Sequence, residues 1–402
     1  MRKSLLILCL LAFASCSAPL FITKRNIELY PIEENGKIGF IDQKGKVRID
    51  PKYLPCDYDD ILTECSSDFN GNSYAVVKEQ GGYTIIDWKG NKTIDYYFDE
   101  LIEEFDGTYS AGMDGKYGLI DHSGNVLVPF IFDSQYFIND NEFFPGKIDA
   151  KAVIFYAEDS IIYMPYDYIS PFFEGFACVK NNYKEGMINS SLELVIDTIY
   201  QELGFLSSGL INAKIENQWC FLNTQGQIVF NSTFEEASDF NDGIAVVKKE
   251  KYGAIDTLGN QIIPFEYEYL SYEGEANNGD KIFQYSDKEN YFSYGARSGL
   301  INQSRDTLLK ADFYELYYFW DIVEAGKYDE GVGVINLKNG KTIIPFNFDE
   351  IQYYQDALSV LYFSDEDGKE FYGYLKKRNK IIWSNNVDLM KKLLIDKTSE
   401  PN

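Results

Sequence analysis

A chain of 402 residues with 63 Asp and Glu against 37 Lys and Arg carries a formal charge of −26. That balance repels polyphosphate backbones and argues against nucleic acid as a partner. Its 32 Tyr, 29 Phe and 31 Gly suit half-buried pleated strands joined by tight turns, and a single His leaves no histidine-built metal cluster.

The first element is an export signal. Arg2 and Lys3 precede an apolar run from Leu5 to Phe13, too short to span a bilayer, and Ala14-Ser15-Cys16 follows. Small residues directly before a cysteine resemble a bacterial lipobox. The expectation is removal of residues 1–15 and lipidation of Cys16, a membrane anchor without a transmembrane helix. Residues 16–34 would then form a tether and N-terminal cap.

From residue 35 to 383 one pattern recurs. Its clearest copy, Phe240 to Leu270, parses into three strands: Ile244 to Lys249, Tyr252 to Asp256 and Gln261 to Tyr267. An Asp at the entrance of the second turn can bond its own backbone two residues on, and a Gly near its end tolerates positive φ. The turn entrances are Asp42, Asp87, Asp121, Asn189, Asn223, Asp256, Asn302 and Asn336. Three of the intervals between them are 34 residues. A degenerate copy centres on Phe155 and a last one spans Ala357 to Trp383, about ten in all. Gly118, Gly253 and Gly333 are expected where a neighbouring chain approaches closely, and Pro129, Pro264 and Pro345 at the end of the third strand.

Twelve residues past the turn entrances stand Asp99, Asp133, Asp167, Glu235 and Glu268, with Gln201 interrupting. Backbone N–H groups in each turn are the expected partners of these acids, with neighbouring lysines or bound cations as the alternatives. A calcium ladder is the one cofactor reading left open, and no EF-hand or nonapeptide spacing supports it. Asp365-Glu366-Asp367-Gly368 reads as a solvated loop. Extra residues fall near 57–72 and 271–297, and insertions in repeat arrays go to loops on one face. The second, with Tyr272, Tyr285, Tyr291, Tyr294 and Arg297, is the first candidate for a specificity loop. Cys56 and Cys65 could pair across a loop, whereas Cys178 and Cys220 read as small buried residues. Residues 384–402 form a C-terminal cap, with Leu389, Met390, Leu393 and Leu394 at helical spacing behind Ser384 or Asn385.

The motifs Lys116-Tyr117-Gly118-Leu119-Ile120-Asp121 and Lys251-Tyr252-Gly253-Ala254-Ile255-Asp256, with Val128-Pro129, Ile263-Pro264 and Ile344-Pro345, resemble the WG-repeat (KWG) family of bacterial proteins. The resemblance covers residues 35–383 and implies repetitive β structure, mostly without assigned biochemistry. The chain departs from it in placing Tyr where Trp is usual, and Thr84 or Cys220 where Gly belongs.

The expected fold is therefore all-β: about ten three-stranded antiparallel repeats, stacked as an open β superhelix, with a β-propeller-like ring as the alternative and a short C-terminal helix. Asp121-His122-Ser123 lies in a hairpin turn where adjacent residues point apart, and no P-loop, GxSxG or GxGxxG motif is present. The expected function is a non-enzymatic binding or scaffolding lipoprotein of the cell envelope, at the outer membrane. Its aromatic-rich face would recognise protein or glycan. A polysaccharide hydrolase using paired carboxylates is the runner-up.

Overall fold

The computed structural model describes residues 28–55, 73–104, 107–134, 143–156, 160–230, 232–288, 295–319, 321–352, 358–377 and 379–395. Cys16, the export signal, Cys56, Cys65, Tyr291 and Tyr294 lie outside these residues. Within them, ten small antiparallel sheets follow one another along the chain.

The seventh sheet shows how the unit is built. Ile244–Lys248, Tyr252–Asp256 and Gln261–Tyr267 pair in chain order, as the sequence pattern predicts. The structure adds a fourth member, the two-residue strand Glu236–Ala237, which enters ahead of them and pairs with Ile244–Lys248. The unit is thus four-stranded rather than three-stranded. The third, fifth and seventh to tenth sheets all have this form.

Alternate residues of a strand face opposite ways, and here both faces are covered. Ile244 and Val246 pack toward the eighth sheet, while Ala245 and Val247 pack toward the sixth. The same arrangement joins every consecutive pair of sheets, giving ten apolar clusters for ten sheets. An open row would have one interface fewer than it has sheets.

The additional cluster joins the first sheet to the tenth, with Tyr30, Ile32 and Ile41 against Leu358, Val360, Tyr372 and Tyr374. Across that seam the Tyr374 hydroxyl donates to the Pro31 carbonyl at 2.6 Å, and the Glu33 N–H donates to the Tyr372 hydroxyl at 2.7 Å. The array is closed, a β-propeller and not an open superhelix. Closure removes the two apolar end faces that an open stack would have to cap. Accordingly, Leu29–Glu34 is no cap but a strand of the first sheet.

The glycine and proline of the motif act as one device. Tyr252 pairs with Tyr267 and Ala254 with Ile263, so the single residue Gly253 opposes three of the next strand, Pro264 to Glu266. The surplus forms a bulge around Pro264, whose missing N–H is harmless there. Gly253 faces that bulge: a Cβ on it would stand 2.7 Å from the Ile263 carbonyl oxygen. Gly118 and Gly333 meet the bulges at Pro129 and Pro345 in the same way. The prolines are therefore inside the last strand of each unit, not at its end.

Where Thr84 and Cys220 replace the glycine, that strand is reduced to isolated bridges, Tyr83 to Phe98 and Ile86 to Lys92, Trp219 to Phe234 and Leu222 to Ile228. A side chain at this point and an inward bulge compete for one space.

Helix α1, Val387–Leu393, follows the tenth sheet. Its N-cap is Asn386, not Ser384 or Asn385, and the Asn386 side chain accepts the Leu389 N–H. Met390 is fully buried and packs with Phe348, Phe363 and Leu375. No helix among the described residues is long and apolar enough to cross a membrane.

Candidate functional site

In each sheet the first-to-second and third-to-fourth connections lie at one end of the strands. The second-to-third connection and the crossover to the next sheet lie at the other. The turn-entrance residues occupy the first end. Asp121 Oδ1 accepts the N–H groups of Ser123 and Asn125 at 2.8 and 2.9 Å, and Asp256 Oδ1 those of Leu258 and Asn260 at 2.9 and 2.8 Å. At the opposite end, between the second and third strands of the tenth sheet, Asp365 Oδ1 accepts the N–H groups of Asp367 and Lys369 in the same way, so the acidic tetrapeptide there closes its own turn. Asn336 departs from the pattern: its side-chain oxygen is buried and receives no hydrogen bond.

The acids of the crossovers occupy the other end. Asp99, Asp133 and Asp167 each accept a backbone N–H, from Asp114, Ala150 and Asn182 at 2.8–2.9 Å, and the Gln201 amide oxygen accepts that of Asn217 at 2.7 Å. All four donors belong to tight hairpins of the following sheet, with φ between 50° and 62°, as two-residue turns of mirror-image type require. The lysine of the motif completes the arrangement. Lys116 reaches Asp133 at 2.7 Å, and Lys251 pairs with Glu268. The Ala150 N–H and Lys116 together hold the Asp133 carboxyl below its ordinary range. Asp99, Asp133 and Asp167 thus tie their units to the next. Among the described residues no group of three or more His, Cys, Asp or Glu is placed to hold a metal.

Tyr117 and Tyr252 are also used locally, donating to Glu100 at 2.9 Å and Glu236 at 2.6 Å on the first strand of their own sheets. The signature residues of the third, seventh and ninth sheets are not brought together into one site.

Part of the candidate specificity loop is strand. Tyr269–Glu275 and Lys281–Ser286 are the first two strands of the eighth sheet, so part of the extra length is spent on a longer hairpin. Tyr272 donates to Asp242 at 3.2 Å, and burial together with that carboxylate raises its hydroxyl well above the usual value. Tyr285 packs edge-on against Tyr267, and Arg297 pairs with Asp312 at 2.8 Å.

An open groove lies instead between the fifth and sixth sheets, with a volume of about 160 Å³. One wall is Pro171, Phe173 and Phe176; the other is Leu203, Gly204, Phe205 and Leu206. Phe173 is 53% and Phe205 66% exposed, far more than aromatic rings in the seams between sheets. The floor carries Cys178, whose thiol burial pushes up to about 12, and the ion pair of Lys180 with the buried Glu185 at 2.7 Å. Glu185 also accepts the Leu203 N–H at 2.6 Å, which joins the two sheets beneath the groove. It is the one carboxylate among the lining residues, so the groove offers no carboxylate pair.

Phe205 is held from behind. Its N–H donates to Asp239 Oδ1 at 3.0 Å. A Cβ on Gly204 would stand 1.7 Å from Asn212 Oδ1 and 2.0 Å from Asp239 Oδ1, so these two oxygens are close neighbours. Asn212 Oδ1 is buried without a hydrogen-bond donor, while its amide nitrogen is committed to the Ala237 carbonyl at 2.9 Å. Turning the amide over would only set its oxygen against that carbonyl. A proton on Asp239 resolves the conflict, and burial does raise that carboxyl above its ordinary range.

Sequence reasoning missed this groove because Phe173 and Phe205 stand in the short connection between the two-residue first strand and the second strand of their sheets. No periodicity can be read over so few residues. The available signal was an aromatic residue shortly after the crossover residue in each of two neighbouring units, Phe173 after Asp167 and Phe205 after Gln201.

The closed ring of repeated sheets defines a β-propeller-like repeat protein. The model of a family described as WG containing repeat matches seven segments: residues 38–53, 117–149, 160–184, 186–219, 221–251, 252–275 and 333–360. The chain belongs to the WG-repeat family. Among solved structures it is similar to that of a eukaryotic initiation factor, with a TM-score of 0.52 at 9% identity, covering 89% of this chain and 95% of that one. Weaker likenesses are a computationally designed protein, Ika8 (TM-score 0.35, 12% identity, 76% and 94% covered), and BamB from Moraxella catarrhalis (TM-score 0.35, 12% identity, 68% and 95% covered). No curated protein sequence matches the chain.

Proposed function

We propose that this protein is a non-enzymatic binding or scaffolding lipoprotein of the bacterial cell envelope, anchored through Cys16, that recognises protein or glycan by its aromatic surface. The groove between the fifth and sixth sheets carries the reading, because Phe173 and Phe205 leave their rings in solvent beside an open, mostly apolar cleft. Exposed aromatic surface next to a cleft is how binding sites gain area at small entropic cost.

Two experiments test the proposal. Photo-crosslinking in intact envelopes, with the full mature chain, should yield adducts that the Phe173→Ser/Phe205→Ser variant lacks. Identical adduct patterns from both chains would remove the groove from the binding role. Replacing Cys16 by Ala should release the protein from the membrane fraction, and a variant that stays membrane-bound and acylated would end the lipoprotein reading.

A further inference from the structure

We infer that the groove between the fifth and sixth sheets receives one bulky apolar side chain of a partner polypeptide, flanked there by basic residues. This rests on the binding reading above and narrows it.

Size is the first reason. A cleft of about 160 Å³ is on the scale of the roughly 150 Å³ apolar cavity that accommodates a benzene-sized guest. It holds one aromatic or large aliphatic side chain and not a chain of sugar rings.

The second reason is the state of the polar groups around it. Ser170 Oγ donates to the Pro171 carbonyl and accepts the Cys178 N–H, both at 2.9 Å. Glu185 is committed to Lys180 and to the Leu203 N–H. Sugar hydroxyls entering between these walls would leave water for groups whose hydrogen bonds are already made, which disfavours them. An apolar side chain asks for no such bonds, and Pro171, Phe176, Met187, Leu203 and Leu206 surround it with carbon.

Charge supplies the third. The exposed Glu174 directly follows the wall residue Phe173, in a turn held at φ 50°, on a chain whose net charge is −26. Complementary potential selects basic neighbours for the inserted side chain and steers their approach. The same charge works against a second copy of this chain as the occupant.

The experiment uses the full mature chain and four probes: dye-labelled Lys-Lys-Phe-Lys-Lys, its Lys-Lys-Ser-Lys-Lys and Glu-Glu-Phe-Glu-Glu counterparts, and a β-linked glucose hexasaccharide. Anisotropy reports affinity, and alkylation of Cys178, read by peptide mass mapping at alkaline pH, reports occupancy. The basic phenylalanine peptide should bind at least tenfold tighter than the other two peptides and slow alkylation of Cys178 severalfold. Phe205→Ser should lose that preference, and because the ring is largely exposed its circular dichroism should match the parent. Three results would overturn the inference: equal binding of the Phe and Ser peptides, protection of Cys178 by the hexasaccharide alone, or protection by none of the probes. Hexasaccharide protection would sink the side-chain occupant and leave the groove a binding site. The envelope crosslinking described above decides the broader reading separately.

Discussion

The pairing of a motif glycine with a bulged strand yields a sharp test in Gly253→Thr. In the seventh sheet a Cβ at this position would lie 2.7 Å from the Ile263 carbonyl oxygen, 3.0 Å from Phe265 Cδ1 and 3.1 Å from the Phe265 nitrogen. Two of these three atoms are backbone, so relief requires the bulge itself to retreat by roughly half an ångström, and overpacking of this kind costs about 1–3 kcal/mol. The lower unfolded-state entropy of a residue with a Cβ returns about 0.4–1 kcal/mol. A net loss of about 1–2 kcal/mol is the expected outcome.

The second sheet shows what the relaxed variant should look like, since Thr84 already stands there and the last strand pairs only through isolated bridges. Equilibrium urea unfolding gives the stability change. Amide hydrogen exchange should show faster exchange confined to Gln261–Tyr267. Unchanged exchange in that strand together with an unchanged urea midpoint would refute the competition between side chain and bulge.

Three further outcomes follow from the geometry. Tyr374→Phe removes the hydroxyl that the buried Pro31 carbonyl accepts at 2.6 Å. It should cost about 1–3 kcal/mol and make the first strand the earliest site of limited proteolysis; cleavage starting elsewhere would argue against a seam there. Asp167→Ala, which deprives the Asn182 N–H of its acceptor at an exposed hairpin, should cost about 1 kcal/mol and be indifferent to chelator. A large drop in melting temperature on adding chelator to the parent would instead restore the cation ladder. Asp239 has a folded-state value raised above its unfolded one, so its contribution is full below the ordinary carboxylate value. That contribution is lost as pH rises through the raised value. The stability difference between Asp239→Asn and the parent should therefore change in the variant's favour as pH rises above the ordinary carboxylate value, and a flat difference would place the charged form in the fold.

Local chemistry was legible in the sequence because it repeats. The Asp-x-x-Gly turn and the close approach of chain to the motif glycine each depend on a few residues at fixed offsets, as Asp121 and Gly253 show, whereas the proline bulge and the hairpin N–H that Asp167 accepts, 15 residues on, were not read. Two global features were not legible. Glu236–Ala237, like the other first strands of two residues, carries no period, so the unit read as three-stranded and too short for a propeller blade. Ring closure then depends on contacts such as Tyr374 with Pro31, 343 residues apart, which no repeat pattern encodes. The extra length at 271–297 misled for a related reason: additional residues were read as a loop, and hydrogen-bonded strand pairing of Tyr269–Glu275 with Lys281–Ser286 took up part of them.

Closure also has a genealogical consequence. Open stacks lengthen or shorten by whole units, because duplication or deletion of one repeat leaves every remaining interface as it was. Ten sheets sharing a full turn take about 36° apiece. Losing or gaining a single unit would require every junction to change its angle at once, including the crossover clamps formed by Asp99, Asp133 and Asp167. A change of copy number is consequently costly once the seam forms, whereas a change within one unit leaves the other junctions as they are. The Thr84 and Cys220 units show this tolerance, since they keep their places in the ring with a last strand reduced to isolated bridges.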